Sequence, residues 1–297
     1  MTPEAHKPEA RAVAGAADAP GAAAVDWDVE DLEIDLLLEG VARRYGNDLR
    51  DYARAAIKHR IRGELDRQGL GSVSALQDRV LRDAPAMARL LAALTTNVHG
   101  MFRDPSFYLT LRRRVLPLLR TYPFVRIWLA GCSTGEEVYS TAILLAEEGL
   151  STRVRLYATD LSEAVLSRAK AGVYPVELLE AYETRYLEAG GRRTLMDHLT
   201  VEPDGLRLRA SLRDSVVFGQ HDLATDRSFN EFNLILCRNV MIHFGAALRR
   251  RVHELLDESL CRLGILCLGA RETLRGSGFE GRYEPLDDEA RLYRRLG

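Results

Sequence analysis

Long apolar runs are what this sequence most plainly lacks. None approaches the ~18 residues that a membrane-spanning helix needs. An export signal is missing too. The opening MTPEAHKPEARAVAGAADAPGAAAV is rich in Ala, Pro and Gly, but Glu4, Glu9, Arg11 and Asp18 interrupt it, so it does not read as a secretory leader. Its composition cannot bury a core, and residues 1–25 read as a disordered tail. Cysteine is scarce. The four, Cys132, Cys237, Cys261 and Cys267, include no C-x-x-C pair, which argues against a zinc site and, without an export signal, implies reduced thiols in a cytoplasmic protein. Small buried side chains are their ordinary fate. Net charge is close to absent, -2 at pH 7, so any preference for an anionic partner has to come from a local patch. No internal repeat is present.

What the 297 residues do hold is enough for one large domain and one small one, at ~100–200 residues per domain. With 46% hydrophobic and 28% charged residues the chain can bury a sizeable core. Residues 26–94 read as a small all-α domain of three or four helices. Leu32, Leu36 and Val41, then Leu49, Tyr52, Ala56, Ile57, Ile61 and Leu65, recur at helical spacing. The break QGLGS at 68–72 offers Ser72 or Ser74 as the cap of the next helix. Arg50, Arg54, Lys58 and Arg62 fall every four residues and form a basic stripe along one helix. Across 41–70 there are eight Arg or Lys against four Asp or Glu. The stripe is either a solvated face or a surface that steers an acidic partner into place. The aromatic or recognition-helix signature expected of a nucleic-acid binder does not accompany it.

From about residue 125 strands alternate with helices. VRIWLAG, VRLYATD, VVFGQHDL, FNLILCRN and GILCLG read as strands. GEEVYSTAILLAEEG ending at Gly149, SEAVLSRAKAG between Ser162 and Gly172, and about 246–262 read as helices. Such alternation predicts a doubly wound parallel sheet. LTVEPDGLRLRASL at 199–212 interrupts it, because alternating residues around Asp204-Gly205 predict a hairpin. A small antiparallel β-subdomain, about 193–217, is therefore inserted, either as an ornament or as a partner-binding edge.

Ligands of such sheets sit at the carboxyl ends of the strands. That gathers residues 131–137, Asp160, His221-Asp222-Leu223 and Cys237-Arg238-Asn239 around one site. An acid after the second strand suits two ribose hydroxyls, and Asp222 suits an adenine amino group. Both point to a nucleoside. The glycine turn, Gly131-Cys-Ser-Thr-Gly135, is neither G-x-G-x-x-G nor a Walker loop, and Glu136 and Glu137 open the helix where a pyrophosphate would otherwise lie. Two carboxylates suit a ligand with a positive end. S-adenosylmethionine has a nucleoside, no phosphate, an ammonium and a sulfonium. The plainer reading is that both glutamates merely complement the helix dipole.

Four stretches, TTNVHGMFRD (95–104), AGCSTGEEVYS (130–140), ATDLSEAVLSRAKAGVY (158–174) and CRNVMIHF (237–244), occur in that order. They closely resemble the chemotaxis-receptor methyltransferases, the CheR family, over about residues 27–297. The resemblance implies a Rossmann-like S-adenosylmethionine methyltransferase domain over 95–297, carrying the inserted β-subdomain and preceded by the all-α domain. It implies methyl transfer from S-adenosylmethionine to glutamate side chains on the cytoplasmic helices of a chemoreceptor, with S-adenosylhomocysteine as product and no metal. Cofactor contacts are implied from Asn97, His99, Arg103, Glu137, Asp160, Asp222, Leu223, Cys237 and Arg238. Arg103 would lie nearest the transferred methyl, with His243 beside it as the second catalytic position. Arg50, Arg54, Lys58 and Arg62 would face the receptor, and the β-subdomain would take a tether peptide from the receptor's C-terminus. The chain departs from the family pattern with His99 for Thr, Met101 for Phe, Val138 for Pro, Asp222 for the commoner Asn, and His243 for Tyr. The last change loses a phenol and keeps a hydrogen-bonding ring.

Two other readings share the cofactor site. One is a methyltransferase with a different acceptor; the other is a cofactor-binding sensor or scaffold without turnover, motivated by His99 and His243. A nicotinamide dehydrogenase fits less well because the pyrophosphate pattern is missing.

Overall fold

The computed structural model describes residues 28–95 and 100–297, apart from the side chains of Thr95 and His243. The expected tail over 1–25, and with it Asn97 and His99, lies outside the described residues.

Among the described residues, four helices make up the first domain: α1 (Val29–Tyr45), α2 (Arg54–Gln68), α3 (Val73–Arg82) and α4 (Ala84–Thr95). The Asp28 carboxylate accepts from the Glu30 N–H at the start of α1, and Ser72, rather than Ser74, caps α3 by accepting from the Ala75 N–H. The apolar face of α1 is Ile34, Leu37, Leu38 and Val41, which pack with Ile57, Ile61, Leu76 and Val80. Leu32 and Leu36 do not belong to it; they are 45% and 52% exposed. Both rows satisfy helical spacing, and only the packing of α1 against its neighbours selects one. Arg50 and Tyr52 also leave the helical frame, since both lie in the turn between α1 and α2. There Tyr52 forms a bridge with Phe244 of the second domain.

The second domain opens with α5 (Pro105–Thr110), a π-helical turn (Leu111–Val115) and α6 (Leu116–Leu119). Then follow β1 (Val125–Ala130), α7 (Glu136–Glu147), β2 (Val154–Asp160), α8 (Glu163–Ala171), β3 (Val173–Tyr174), α9 (Leu179–Glu188), β4 (Leu199–Glu202), β5 (Gly205–Leu208) and α10 (Ala210–Arg213). The chain closes with β6 (Val216–Gln220), β7 (Phe232–Cys237), α11 (Ala246–Ser259), β8 (Leu260–Leu268), β9 (Tyr283–Asp287) and β10 (Leu292–Arg295). One sheet runs in the order β6-β2-β1-β7-β8-β10-β9. Its first five strands are parallel, and β10 and β9 are antiparallel, so the sheet is mixed. Side chains alternate between two cores, as a strand period of two requires. Ile127, Leu129, Leu234 and Leu236 face one; Trp128, Ala130, Ile235 and Cys237 face the other. Helices on both faces make the expected doubly wound domain.

Three local expectations are corrected. The hairpin forms around Asp204-Gly205, but β3 joins β5, giving a three-stranded subdomain that begins near 173. At its other end β6 belongs to the main sheet, so 217 overshoots the boundary. A side chain at Gly205 (φ 137°) would place a Cβ 2.4 Å from the Tyr174 carbonyl oxygen, so glycine lets these strands meet. Helix α11 ends at Ser259, three residues before the expected 262, because β8 starts at Leu260. Ser162 occupies the cap position of α8, yet its side chain makes no cap bond; its N–H donates to the Asp160 carboxylate.

Candidate active site

The chain leaves β1 through Gly131, whose φ is 73°, and a Cβ there would meet Val240 Cγ2 at 2.5 Å. The Gly131 and Cys132 N–H groups both donate to the Thr159 carbonyl, at 2.8 and 2.9 Å, which folds the turn over the end of β2. The Ser133 N–H then donates to Asp160 Oδ2 at 2.9 Å, while Asp160 Oδ1 accepts from Ser162 at 3.0 Å. Burial pushes the Asp160 carboxyl above its usual pKa, against the pull of these backbone N–H groups.

Asp160 lines a cavity at the carboxyl ends of β1, β2, β6 and β7, together with Gly131, Leu161, Asp222, Leu223 and Arg238. Of the residues expected to touch a cofactor, Asp160, Asp222, Leu223 and Arg238 are thus brought together. Asp222 Oδ1 accepts from the Ala224 N–H at 2.8 Å, and burial raises its pKa as well. Each carboxylate oxygen has a second lone pair for a ligand donor. Phe244 and Leu248 from the far side, and Tyr52 and Leu94 from the helical domain, complete the walls. The rings of Tyr52 and Phe244 meet edge-on with centroids 4.8 Å apart, and the Gly245 N–H donates to the Asp51 carbonyl at 2.5 Å. Sequence periodicity placed Tyr52 on a helix and missed this contact, because the pairing spans almost two hundred positions of chain.

The other expected positions lie elsewhere. Glu137 does not line the cavity; it accepts from Arg238 Nη1 at 2.5 Å. Arg238 Nη2 donates to Asp104 at 2.8 Å, and the guanidinium carbon stands 3.8 Å from the Phe107 ring centroid. This buried arginine therefore links β7, α7 and the 100–104 loop, which also carries Arg103. Glu136 is turned inward, where Thr134 donates to it at 2.6 Å and burial raises its pKa. Neither glutamate projects from the helix as an isolated charge. The Cys237 side chain is fully buried in the core. His243 lies in a 3-10 turn, Met241–His243, after the Arg238-Asn239 corner.

Sequence reasoning missed Glu272. Its carboxylate accepts from the N–H groups of Gly269, Asn239, Val240 and Met241 at 2.6, 2.8, 2.9 and 2.7 Å. Asn239 and Val240 line the cavity, so Glu272 holds one of its walls. A carboxylate that serves main-chain N–H groups has no spacing rule to reveal it.

The basic stripe is not bare. Arg50 pairs with Asp48 and Glu39 at 2.6 and 2.8 Å, and Arg54 with Asp35 at 2.5 Å. Lys58 lies 2.9 Å from Asp28 and 3.1 Å from both Glu30 and Asp31, while Arg62 takes Glu30 at 2.6 Å. Acids of α1 and its cap thus cover most of the row. Among the described residues no group of three or more His, Cys, Asp or Glu is placed to hold a metal ion, and no helix is long and apolar enough to cross a membrane.

These residues fit S-adenosylmethionine. Two carboxylates, able to accept from ribose hydroxyls and an amino group, line a slot walled by Tyr52, Leu94, Leu223 and Phe244, and Gly131 lets the backbone approach Val240 where a Cβ would clash. Residues 97–287 match the family described as CheR methyltransferase, SAM binding domain, and residues 32–95 match the CheR methyltransferase all-alpha domain. The chain is 46% identical over 265 residues to the Cher3 protein of Pseudomonas putida, covering 89% of this chain and 97% of that one. It is 32% identical over 251 residues to the chemotaxis protein methyltransferase of Listeria monocytogenes, covering 83% and 92%. Chemotaxis protein methyltransferase 1 of Pseudomonas aeruginosa is 30% identical over 234 residues, covering 73% and 81%. By its two matched domains and the cavity they share, the chain belongs to the CheR methyltransferase family and is an S-adenosylmethionine-dependent methyltransferase.

Proposed function

We propose that this protein methylates glutamate side chains on the cytoplasmic helices of a chemoreceptor, giving glutamyl methyl esters in a cytoplasmic signalling pathway. The observation that carries the reading is the pairing of the two domains across one cavity, matched domain by domain to a family whose relatives above are named for chemotaxis. When bound, S-adenosylmethionine supplies a methyl carbon on a sulfonium leaving group. Asp160, Asp222 and Leu223, which line the cavity, would hold its nucleoside. Glu137 and Arg238, paired with each other, would fix the adjoining loop, with Cys237 beside Arg238 assigned to the same cofactor. Asn97 and His99 are assigned to the same cofactor by the family resemblance alone.

An acceptor glutamate is already ionised at pH 7, so no residue has to remove a proton. Positioning is the remaining task, and alignment alone can contribute ~7–11 kcal/mol. Arg103, one residue from the Asp104 partner of Arg238, orients the acceptor carboxylate, with His243 as a second donor. Receptor docking on Arg50, Arg54, Lys58 and Arg62 requires receptor acids to exchange with those of α1. Exposed ion pairs are worth only ~0–1 kcal/mol each, so exchange costs little. The β-subdomain is assigned to a tether peptide.

The test incubates the protein with methyl-labelled S-adenosylmethionine and receptor cytoplasmic fragments of its own genome. Label released as methanol by mild base marks a carboxyl ester; base-stable label or none rejects the glutamate assignment. Arg103→Ala is expected to lower turnover about a hundredfold, the scale of a misplaced reactant, with cofactor affinity less affected. Unchanged turnover and affinity would remove Arg103 from the site.

A further inference from the structure

Helix α11 separates two concavities. Phe244 and Leu248 face the cofactor cavity, whereas Arg249, Arg250 and His253 face a second groove. Arg271 and Arg275, from the loop after β8, close its far side. Met241 and Ile242, of the turn that carries His243, close one end. Four arginines therefore line one groove. Among the described residues none of the four takes part in an ion pair, although the neighbouring Arg251 pairs with Glu254 at 3.4 Å. The stripe on α2 is in the opposite condition, its charges met by α1. Glu272 contributes to the groove wall, but its carboxylate is held by four backbone N–H groups and makes no ion pair with the four arginines among the described residues.

At the base lies His253, 5% exposed, whose Nδ1 has no hydrogen-bond partner. Burial and the charge of Arg249 push its pKa down to about 4, so it meets a ligand as a neutral ring. Cations gathered in a concavity focus positive potential, and planar guanidinium forks match carboxylates in a bidentate manner.

We propose that this groove docks a second, carboxylate-bearing stretch of the protein acceptor, so that acidic residues flanking the methylated glutamate select the substrate. This rests on the glutamate-acceptor reading above. One helix, ~10–12 Å across with its side chains, divides groove from cavity, so a single acceptor segment reaches both. Backbone and packing around the reaction do not depend on the four arginines.

The experiment compares full-length wild type with a quadruple variant, Arg249→Gln, Arg250→Gln, Arg271→Gln and Arg275→Gln. The acceptors are two helical peptides with one methylatable glutamate, flanked by Glu in one and by Gln in the other. Exposed charge pairs with the groove predict a KM for the acidic peptide about tenfold below that for the neutral one in wild type. The variant is expected to lose this preference, with kcat and the calorimetric Kd for S-adenosylmethionine unchanged. A preference that survives in the variant, or is missing from wild type, overturns the proposal. If wild type methylates neither peptide, the glutamate-acceptor reading fails, and fluorescence anisotropy of the labelled acidic peptide decides the groove separately. Binding weakened about tenfold by the four substitutions supports it. Equal binding by both proteins, or saturable binding of inorganic phosphate with no peptide preference, overturns it.

Discussion

At the scale of the residue, one buried carboxylate supports the cavity without lining it through an exposed face. Glu272 is 5% exposed, and three of its four N–H partners belong to residues 239–241, directly after Arg238. Glu272→Gln keeps the size of the side chain but turns an amide donor toward donors. Hydrogen bonds to a charged group are worth ~1.5–3 kcal/mol. The variant is therefore expected to lose about 2–3 kcal/mol of stability in a denaturant titration. Its Kd for S-adenosylmethionine should rise as well, because Asn239 and Val240 shift. An unchanged Kd would show that the turn is held by other means. That Asp160 and Asp222 share a cavity was legible from their place after strands, since strand ends in this fold gather at one crevice. Glu272 was not, because its partners are main-chain atoms and any residue supplies those.

At the scale of the element, a buried ionic cluster ties α7 to the π-helical turn and to the inserted subdomain. Arg112, in the π turn, pairs with Glu147 and, at 2.8 Å, with Glu148. The Tyr186 hydroxyl of α9 donates to Glu147, and His198 Nε2 stands 3.7 Å from it. Burial works to raise the Glu147 pKa, but His198, Tyr186 and Arg112 outweigh it and hold it at about 2. The folded pKa is thus below the ordinary carboxylate value of ~4.3. Its stabilisation is fully present above that ordinary value and is lost as pH falls through about 2. Glu147→Gln should cost about 3 kcal/mol at pH 7, as breaking one partner of a buried pair does. The gap from wild type in thermal unfolding should narrow as pH falls below ~4. A gap independent of pH would assign the loss to packing instead. The hairpin was legible because Asp204-Gly205 is a local turn signal. The π turn and the two-residue strand β3 were not, being too short to carry a period of their own.

At the scale of the whole molecule, the cavity belongs to both domains. Tyr52 and Leu94 come from one, and Phe244, Leu248 and the strand ends from the other. An edge-on aromatic pair is worth ~0.5–1.5 kcal/mol beyond its buried area. Tyr52→Ala should therefore weaken S-adenosylmethionine binding about three- to tenfold in calorimetry, although it alters the helical domain alone. Unchanged affinity would mean that the methyltransferase domain builds the site by itself.

The all-α first domain, the doubly wound class and the set of strand-end residues were determined by the sequence alone. Helical and strand periods, glycine turns and caps act over a few neighbouring residues and can be read there. The long-range partners of the charges were decided only by tertiary structure. Lys58 meets Asp28 across 30 positions, and Glu272 meets Asn239 across 33. A stripe that reads as free cation is paired largely with another helix, while four arginines from two separate segments line one groove with no ion pair among the described residues. Coulombic and hydrogen-bond pairing depends on distance in space, and spacing along the chain does not encode that distance.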